Sequence, residues 1–311
     1  MSSTAASAVK PRFQGIIPPM VTPLSGPDSI DLDGTDRLVE RLIDGGVAGL
    51  FILGTTGEAP SLSYRLRGEF IRHVCRVVDK RIPVLVGITD TSIVESISVA
   101  RTAAGAGADA VVLSMPYYFP AGQTELVRYI RQIVPQLPLP VMLYNMPSLT
   151  KVQFDIDSLA QLCDLPAIVG VKDSGGDLAY FERLTGLKQQ RPDWSVLIGP
   201  EHLMSASLGL GGDGGVNGGA NIYPKLFVRC YQVTRQGDQD AEMALQRQIE
   251  KLQEIYLVGK YASRHIKGTK SALSILGVCD DKLAEPFNHF AAPERERVAQ
   301  VLEQLNTDLV L

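Results

Sequence analysis

Three places in the chain carry residue types that could do chemistry. Lys172 closes the run Ile168-Val169-Gly170-Val171. A cation at the end of an apolar strand must pair with an acid, reach water or lose its proton. Paired with Asp173 or another carboxylate it is a structural charge; uncharged, it is an amine ready to form a Schiff base with a carbonyl. Position alone leaves both open. Tyr144 stands in Tyr144-Asn145-Met146-Pro147. It reads as a packed ring with its hydroxyl at a rim, or, beside an amine nucleophile, as a proton carrier. The turn Gly54-Thr55-Thr56-Gly57-Glu58 is a plain strand-to-helix connection or a nest of N–H groups for a carboxylate or phosphate oxygen. Glu58 is expected to steady that loop or the helix start after it.

Two further features are weaker. Gly211–Gly219 is rich in glycine, which suits close backbone packing at a barrel seam or a phosphate cup. The adjacent aromatics of Pro116-Tyr117-Tyr118 suit packing or a subunit contact.

The elements that must position these residues alternate. Strands are expected at Ile16–Thr22, Gly49–Leu53, Pro83–Gly87, Ala110–Ser114, Val141–Asn145, Ile168–Lys172, Val196–Gly199 and Gly214–Asn217. Several are apolar almost throughout, as parallel strands buried on both faces are. Helical patterns lie between them, among them Asp33–Asp44, Glu69–Val78, Ser92–Ala104 and Glu125–Val134. The recurrence of about 30 residues is that of a βα unit, and about eight units imply a (β/α)8 TIM barrel. A doubly wound sheet is disfavoured because no GxGxxG opens the first unit. Barrel enzymes work at the C-terminal ends of their strands, where Lys172, Tyr144 and the threonine turn fall. Beyond Tyr223 the pattern is helical, with Asp240–Val258, Arg264–Leu276 and Pro293–Leu305 amphipathic. The expected organisation is a loose tail at 1–12, a barrel at 13–236 and a C-terminal helical extension at 237–311.

The 311 residues, 45% hydrophobic and 21% charged, describe a folded globular chain. The net charge of −4 offers no bulk attraction to nucleic acid or an anionic membrane. No apolar run reaches the ~18 residues of a membrane span. Cys75, Cys163, Cys230 and Cys279 are scattered and read as reduced cytoplasmic thiols. His73, His202, His265 and His289 form no ligand spacing, so no metal site is expected.

Gly54–Glu58, Tyr144–Pro147 and Gly170–Asp173 resemble, in order and in strand position, the three signatures of the dihydrodipicolinate synthase / N-acetylneuraminate lyase family. The resemblance runs from about Phe13 to the C-terminal helices. It implies a (β/α)8 barrel with a C-terminal helical extension, usually in a homotetramer, and no cofactor. It also implies roles. Lys172 matches the lysine that forms an imine with pyruvate or another 2-oxo acid, and Tyr144 the tyrosine that moves protons there. Thr55 and Thr56 match the residues that hold the 2-oxo acid carboxylate. Tyr118 resembles the tyrosine that crosses a subunit interface to complete a relay with Thr56 and Tyr144. Asn217 falls where backbone lines the pyruvate pocket.

One position departs from the synthase pattern. Synthases carry arginine two residues after the proline, to hold the carboxylate of aspartate semialdehyde; here that residue is Leu149. Losing such a charge-assisted contact, ~1.5–3 kcal/mol, weakens binding about ten- to a hundredfold. Sialate lyases are also apolar there, and bind the substrate tail after the sixth and seventh strands. The matching residues here are Ser174, Gly199, Glu201 and His202. The expected activity is therefore a class I lyase or aldolase acting on a sialate or a 2-oxo-3-deoxy sugar acid. Three alternatives run on related scaffolds: the synthase itself, a dehydratase using the same imine, and a phosphate-binding isomerase. A sensor that binds a 2-oxo acid without turnover ranks last, because nucleophile and proton carrier are both intact.

Overall fold

In this computed structural model residues 11–305 are described; residues 1–10 of the expected tail and 306–311 of the C-terminal segment lie outside them. Short apolar runs form the strands: β1 Gly15–Ile16, β2 Leu24–Gly26, β3 Ser29–Ile30, β4 Leu50–Ile52, β5 Val84–Gly87, β6 Ala110–Leu113, β7 Val141–Asn145, β8 Ile168–Asp173, β9 Ser195–Ile198 and β10 Gly214–Gly215. Eight of them make one parallel sheet in the order β1-β10-β9-β8-β7-β6-β5-β4. A parallel bridge from Pro19 to Phe51 in β4 brings the two ends together. Around it, Met20 N–H donates to Phe51 O at 2.9 Å and Phe51 N–H to Pro18 O at 3.0 Å. The architecture is the expected (β/α)8 barrel with a helical C-terminal extension.

The helices are α1 Leu32–Asp44, α2 Tyr64–Val78, α3 Ile93–Ala106, α4 Gln123–Ile133, α5 Pro147–Thr150, α6 Ile156–Gln161, α7 Leu178–Gly186, α8 Met204–Gly209, α9 Pro224–Gln236, α10 Gln239–Gln253, α11 Arg264–Ile275 and α12 Ala292–Glu303. Helix α2 starts five residues before the apolar periodicity does. The Ser63 hydroxyl accepts from Leu66 N–H at 3.2 Å and caps it there. Helix α9 opens on Pro224 and stops at Gly237, whose φ of 78° is left-handed.

The strands depart from expectation in two places, each for a physical reason. The first strand was expected to reach Thr22 but pairs regularly only at Gly15–Ile16, because Pro18 and Pro19 have no N–H to donate. The antiparallel hairpin β2–β3 was not expected, its arms being too short for periodicity to register. The glycine-rich segment serves close packing: a Cβ on Gly214 would stand 1.9 Å from Gly15 O. Bare backbone lets β10 and β1 meet where the barrel closes.

Alternation along the strands sorts the core into two layers. Phe51, Leu85, Val112, Met142, Tyr144 and Leu197 fill the barrel interior. Their sequence neighbours, such as Ile52, Val111, Leu143 and Val196, face the surrounding helices.

Candidate active site

The parallel register of β7 and β8 places Tyr144 beside Lys172 and Asn145 beside Asp173. Successive side chains point to opposite faces, so the first pair looks into the barrel mouth and the second away from it. Asp173 is engaged on its own side, its Oδ1 accepting from Asn145 Nδ2 at 2.7 Å and Gly175 N–H at 3.0 Å. This decides between the two readings of Lys172. Among the described residues no carboxylate pairs with it, although it is only 4% exposed.

Aromatic rings surround the amine instead. Lys172 Nζ lies 4.0 Å from the centroid of the Tyr144 ring and 4.9 Å from that of Phe51. The rings meet edge to face, 6.2 Å apart. Burial pushes the Lys172 pKa down, against smaller opposing influences of Tyr144 and Asp173. Burial alone would raise the Tyr144 phenol. The charge of Lys172 and the side chains of Thr55 and Ser174 outweigh it, and the phenol is held below its ordinary value.

A cavity of about 160 Å³ opens over this pair, walled by Lys172, Tyr144, Thr55, Thr56, Ser174 and Gly199 among others. The threonine turn is held from behind. Thr22 Oγ1 donates to Gly57 O at 2.7 Å. Glu58 has a left-handed φ of 57°, and its carboxylate pairs with Lys270 of α11 at 2.5 Å, both side chains fully buried. Glu58 Oε2 also accepts from Ala284 N–H at 2.8 Å, and Lys270 Nζ donates to Lys282 O at 2.6 Å. Glu58 therefore steadies the loop, as expected, through a partner in the C-terminal extension that the sequence does not reveal.

The other anticipated site residues divide. Ser174, Gly199 and Glu201 line the cavity with the amine. Glu201 is committed elsewhere. Burial raises its pKa, and it accepts from Gly219 N–H at 2.6 Å and Tyr256 Oη–H at 3.1 Å. Leu149 is 42% exposed and lines an adjoining cavity. Tyr118 is 77% exposed on the same chain, stacked edge to face on Phe119, and does not meet Thr56 or Tyr144 within this subunit.

Two expectations are corrected. His202 is exposed and lines neither cavity; its carbonyl accepts from Gln246 Nε2 at 3.3 Å, and the short helical turn it occupies aims the ring outward. Asn217 is fully buried with its amide donating to Gly199 O at 3.0 Å, so the cavity wall is Val216 and Gly218 on either side of it.

Sequence reasoning missed Tyr256, His265 and Thr269, which close the amine cavity from the C-terminal helices. His265 borders both cavities, and burial lowers its pKa, which keeps the imidazole neutral. No spacing in the sequence ties these helices to the strand ends. The only signal was the expectation of helices after the barrel.

The profile of the Dihydrodipicolinate synthetase family matches residues 12–305. The chain belongs to this family. A solved dihydrodipicolinate synthase from Bacteroides thetaiotaomicron superposes with a TM-score of 0.92 at 47% identity, covering 95% of this chain and all of that one. YagE of Escherichia coli K12, solved in complex with pyruvate, gives a TM-score of 0.89 at 30% identity, over 94% of this chain and 98% of that one. A 4-hydroxy-tetrahydrodipicolinate synthase of Phenylobacterium zucineum is 32% identical over 93% of this chain and 96% of its own length. As a member of this family the chain is an enzyme, a lyase of the aldolase–synthase type. Among its described residues no helix is long and apolar enough to cross a membrane.

Proposed function

We propose that the chain is a class I aldolase that cleaves or forms 4-hydroxy-2-oxo acids, the chemical class that includes the 2-oxo-3-deoxy acids and sialate, through an imine on Lys172. One observation carries the reading. A buried amine without a carboxylate partner, its pKa pushed down by burial, stands against the Tyr144 ring, beside a turn with two threonines. In this reading Thr55 and Thr56 hold the 2-oxo acid carboxylate. Neutral Lys172 attacks the ketone, and Tyr144 brings a proton to the leaving hydroxyl. The protonated imine is the electron sink, so the lysine supplies what a metal-dependent aldolase draws from a cation. Names among the relatives agree. YagE is called a putative 2-dehydro-3-deoxy-D-gluconate aldolase, and YjhH, 34% identical over 79% of this chain, a probable 2-dehydro-3-deoxy-D-pentonate aldolase.

The second reading, synthesis of 4-hydroxy-tetrahydrodipicolinate, is favoured by the names of other relatives. Leu149 weighs against it, because a leucine side chain gives the carboxylate of aspartate semialdehyde nothing to pair with. Location in the cytoplasm is supported by four free cysteines. Assembly as a homotetramer is supported by the exposed pair Tyr118 and Phe119; a partner's Tyr118 would complete the proton relay that one chain leaves unfinished. Borohydride added with pyruvate is expected to trap a covalent adduct on Lys172. An adduct that survives in Lys172→Ala, or no adduct in the native enzyme, defeats the proposal. Light scattering of the purified protein reads the assembly, and a monomer with full activity removes the relay through Tyr118.

A further inference from the structure

A second cavity of about 310 Å³ adjoins the amine cavity and shares Thr55, Tyr144, Met146 and His265 with it. We infer that this chamber receives an apolar or aromatic aldehyde as the carbonyl partner of the Lys172 enamine. The inference rests on the imine reading above and deepens it.

The chamber's chemistry selects against both sugar tails and carboxylates. Its walls are carried by Phe51, Leu53, Pro60, Leu149, Ile266 and Phe287. Polar side chains are present, Tyr117, Ser61, Ser263 and His265 among them, and several others are spent on the chain itself. Ser114 Oγ donates to Tyr144 O at 2.7 Å, and Thr89 Oγ1 accepts from Ser114 N–H at 2.8 Å. Thr150 Oγ1 faces the carbonyls of Met146 and Val152 at 3.1 and 3.0 Å. The sole carboxylate of the wall, Glu58, is held by Lys270. Among the described residues no lysine or arginine lines the chamber. A polyhydroxy tail placed here would trade water for a largely apolar wall, an unfavourable exchange for its hydroxyls. The expected polar subsite does not relieve this, since Glu201 is saturated and His202 faces outward. A dry apolar cavity of about 150 Å³ accepts benzene, so 310 Å³ has room for a ring and its aldehyde group.

The step balances without an oxidant or reductant. C3 of the enamine attacks the aldehyde carbon and one C–C bond forms. The C=O π pair moves to the aldehyde oxygen, which takes a proton. Water then hydrolyses the imine, releasing a 4-hydroxy-2-oxo acid with an apolar substituent and the free amine of Lys172.

The test uses the full-length enzyme with pyruvate and two aldehydes, benzaldehyde and glyceraldehyde, following loss of pyruvate. kcat/KM for benzaldehyde is expected to exceed that for glyceraldehyde at least tenfold. Leu149 is half-exposed, so Leu149→Arg is tolerated by the fold, and it is expected to shrink that preference at least threefold. Ile266→Thr, which puts a hydroxyl on that wall in place of an ethyl branch, is expected to shrink it in the same direction. Borohydride trapping with pyruvate alone is run in parallel. If the adduct forms but glyceraldehyde is used as well or better, or benzaldehyde is not consumed, the apolar chamber is overturned and the imine reading stands. If no adduct forms, the imine reading itself has failed.

Discussion

Among the described residues two lysines are buried, Lys172 and Lys270, and they differ in what stands opposite them. Lys270 is fully buried beside Glu58 at 2.5 Å, with the Lys282 carbonyl as a second acceptor. Lys172 is 4% exposed beside rings and hydroxyls, with the carboxylate of the next residue, Asp173, turned to the other face and bound by Asn145. Burial lowers the pKa of both amines, and at Lys270 the Glu58 charge pulls back. A buried cation with its counter-ion is a fastener; one without is inclined to shed its proton. The same residue type therefore holds the site together in one place and, as we propose, reacts in the other.

Breaking each half of that contrast should give opposite phenotypes. Lys172→Met is expected to abolish turnover and the borohydride adduct while leaving the fold intact. Mass spectrometry and a melting curve check both. Tyr144→Phe keeps the ring against the amine but removes the phenol proton. Turnover should fall by about 10²–10⁴-fold, read as kcat with pyruvate-dependent substrates. Lys270→Met should leave Glu58 buried and alone, destabilising the fold by about 3–5 kcal/mol. Adding Glu58→Gln should return a large part of that loss in denaturant titration.

The smallest effect sharpens the contrast by pH. The folded-state pKa of Lys172 lies below its unfolded value of about 10.4. Below its folded pKa it is charged in both states and its burial opposes folding in full. As pH rises from that value towards about 10.4, the folded state sheds the proton first and the penalty fades. Stability should therefore rise across that window in the native protein, and less so in Lys172→Met. Over the same window the rate of pyruvate adduct formation should climb and level off below the usual lysine range. A rate still rising at the ordinary lysine pKa would show an unperturbed amine.

The barrel was legible where the chain is bluntest. Continuous apolar runs such as Val84–Val86 and Val111–Leu113 leave few options besides parallel strands covered on both sides, and β5 and β6 stand there. Lys172 and Tyr144 were legible because each interrupts an apolar strand at its end. Three kinds of feature were not. Proline cut the first strand short although its side chains look strand-like. The Glu58–Lys270 pair joins segments that share no local pattern, so nothing but the folded chain could match them. The apolar chamber draws single residues such as Leu149, Ile266 and Phe287 from separate elements, and its character emerges only when they meet. His202 misled for the converse reason: sequence adjacency to Glu201 says nothing about the direction a short helical turn gives the ring.

The clasp between the threonine turn and α11 has a consequence for protein engineers. Anyone exchanging the C-terminal helices for those of a cousin, to graft a new cover onto the barrel, must bring a donor that carries its own ammonium to the spot now filled by Lys270. Otherwise the transplant strands an acid in the dark beneath the substrate's floor. Barrel and cover are thus one tradeable part, not two.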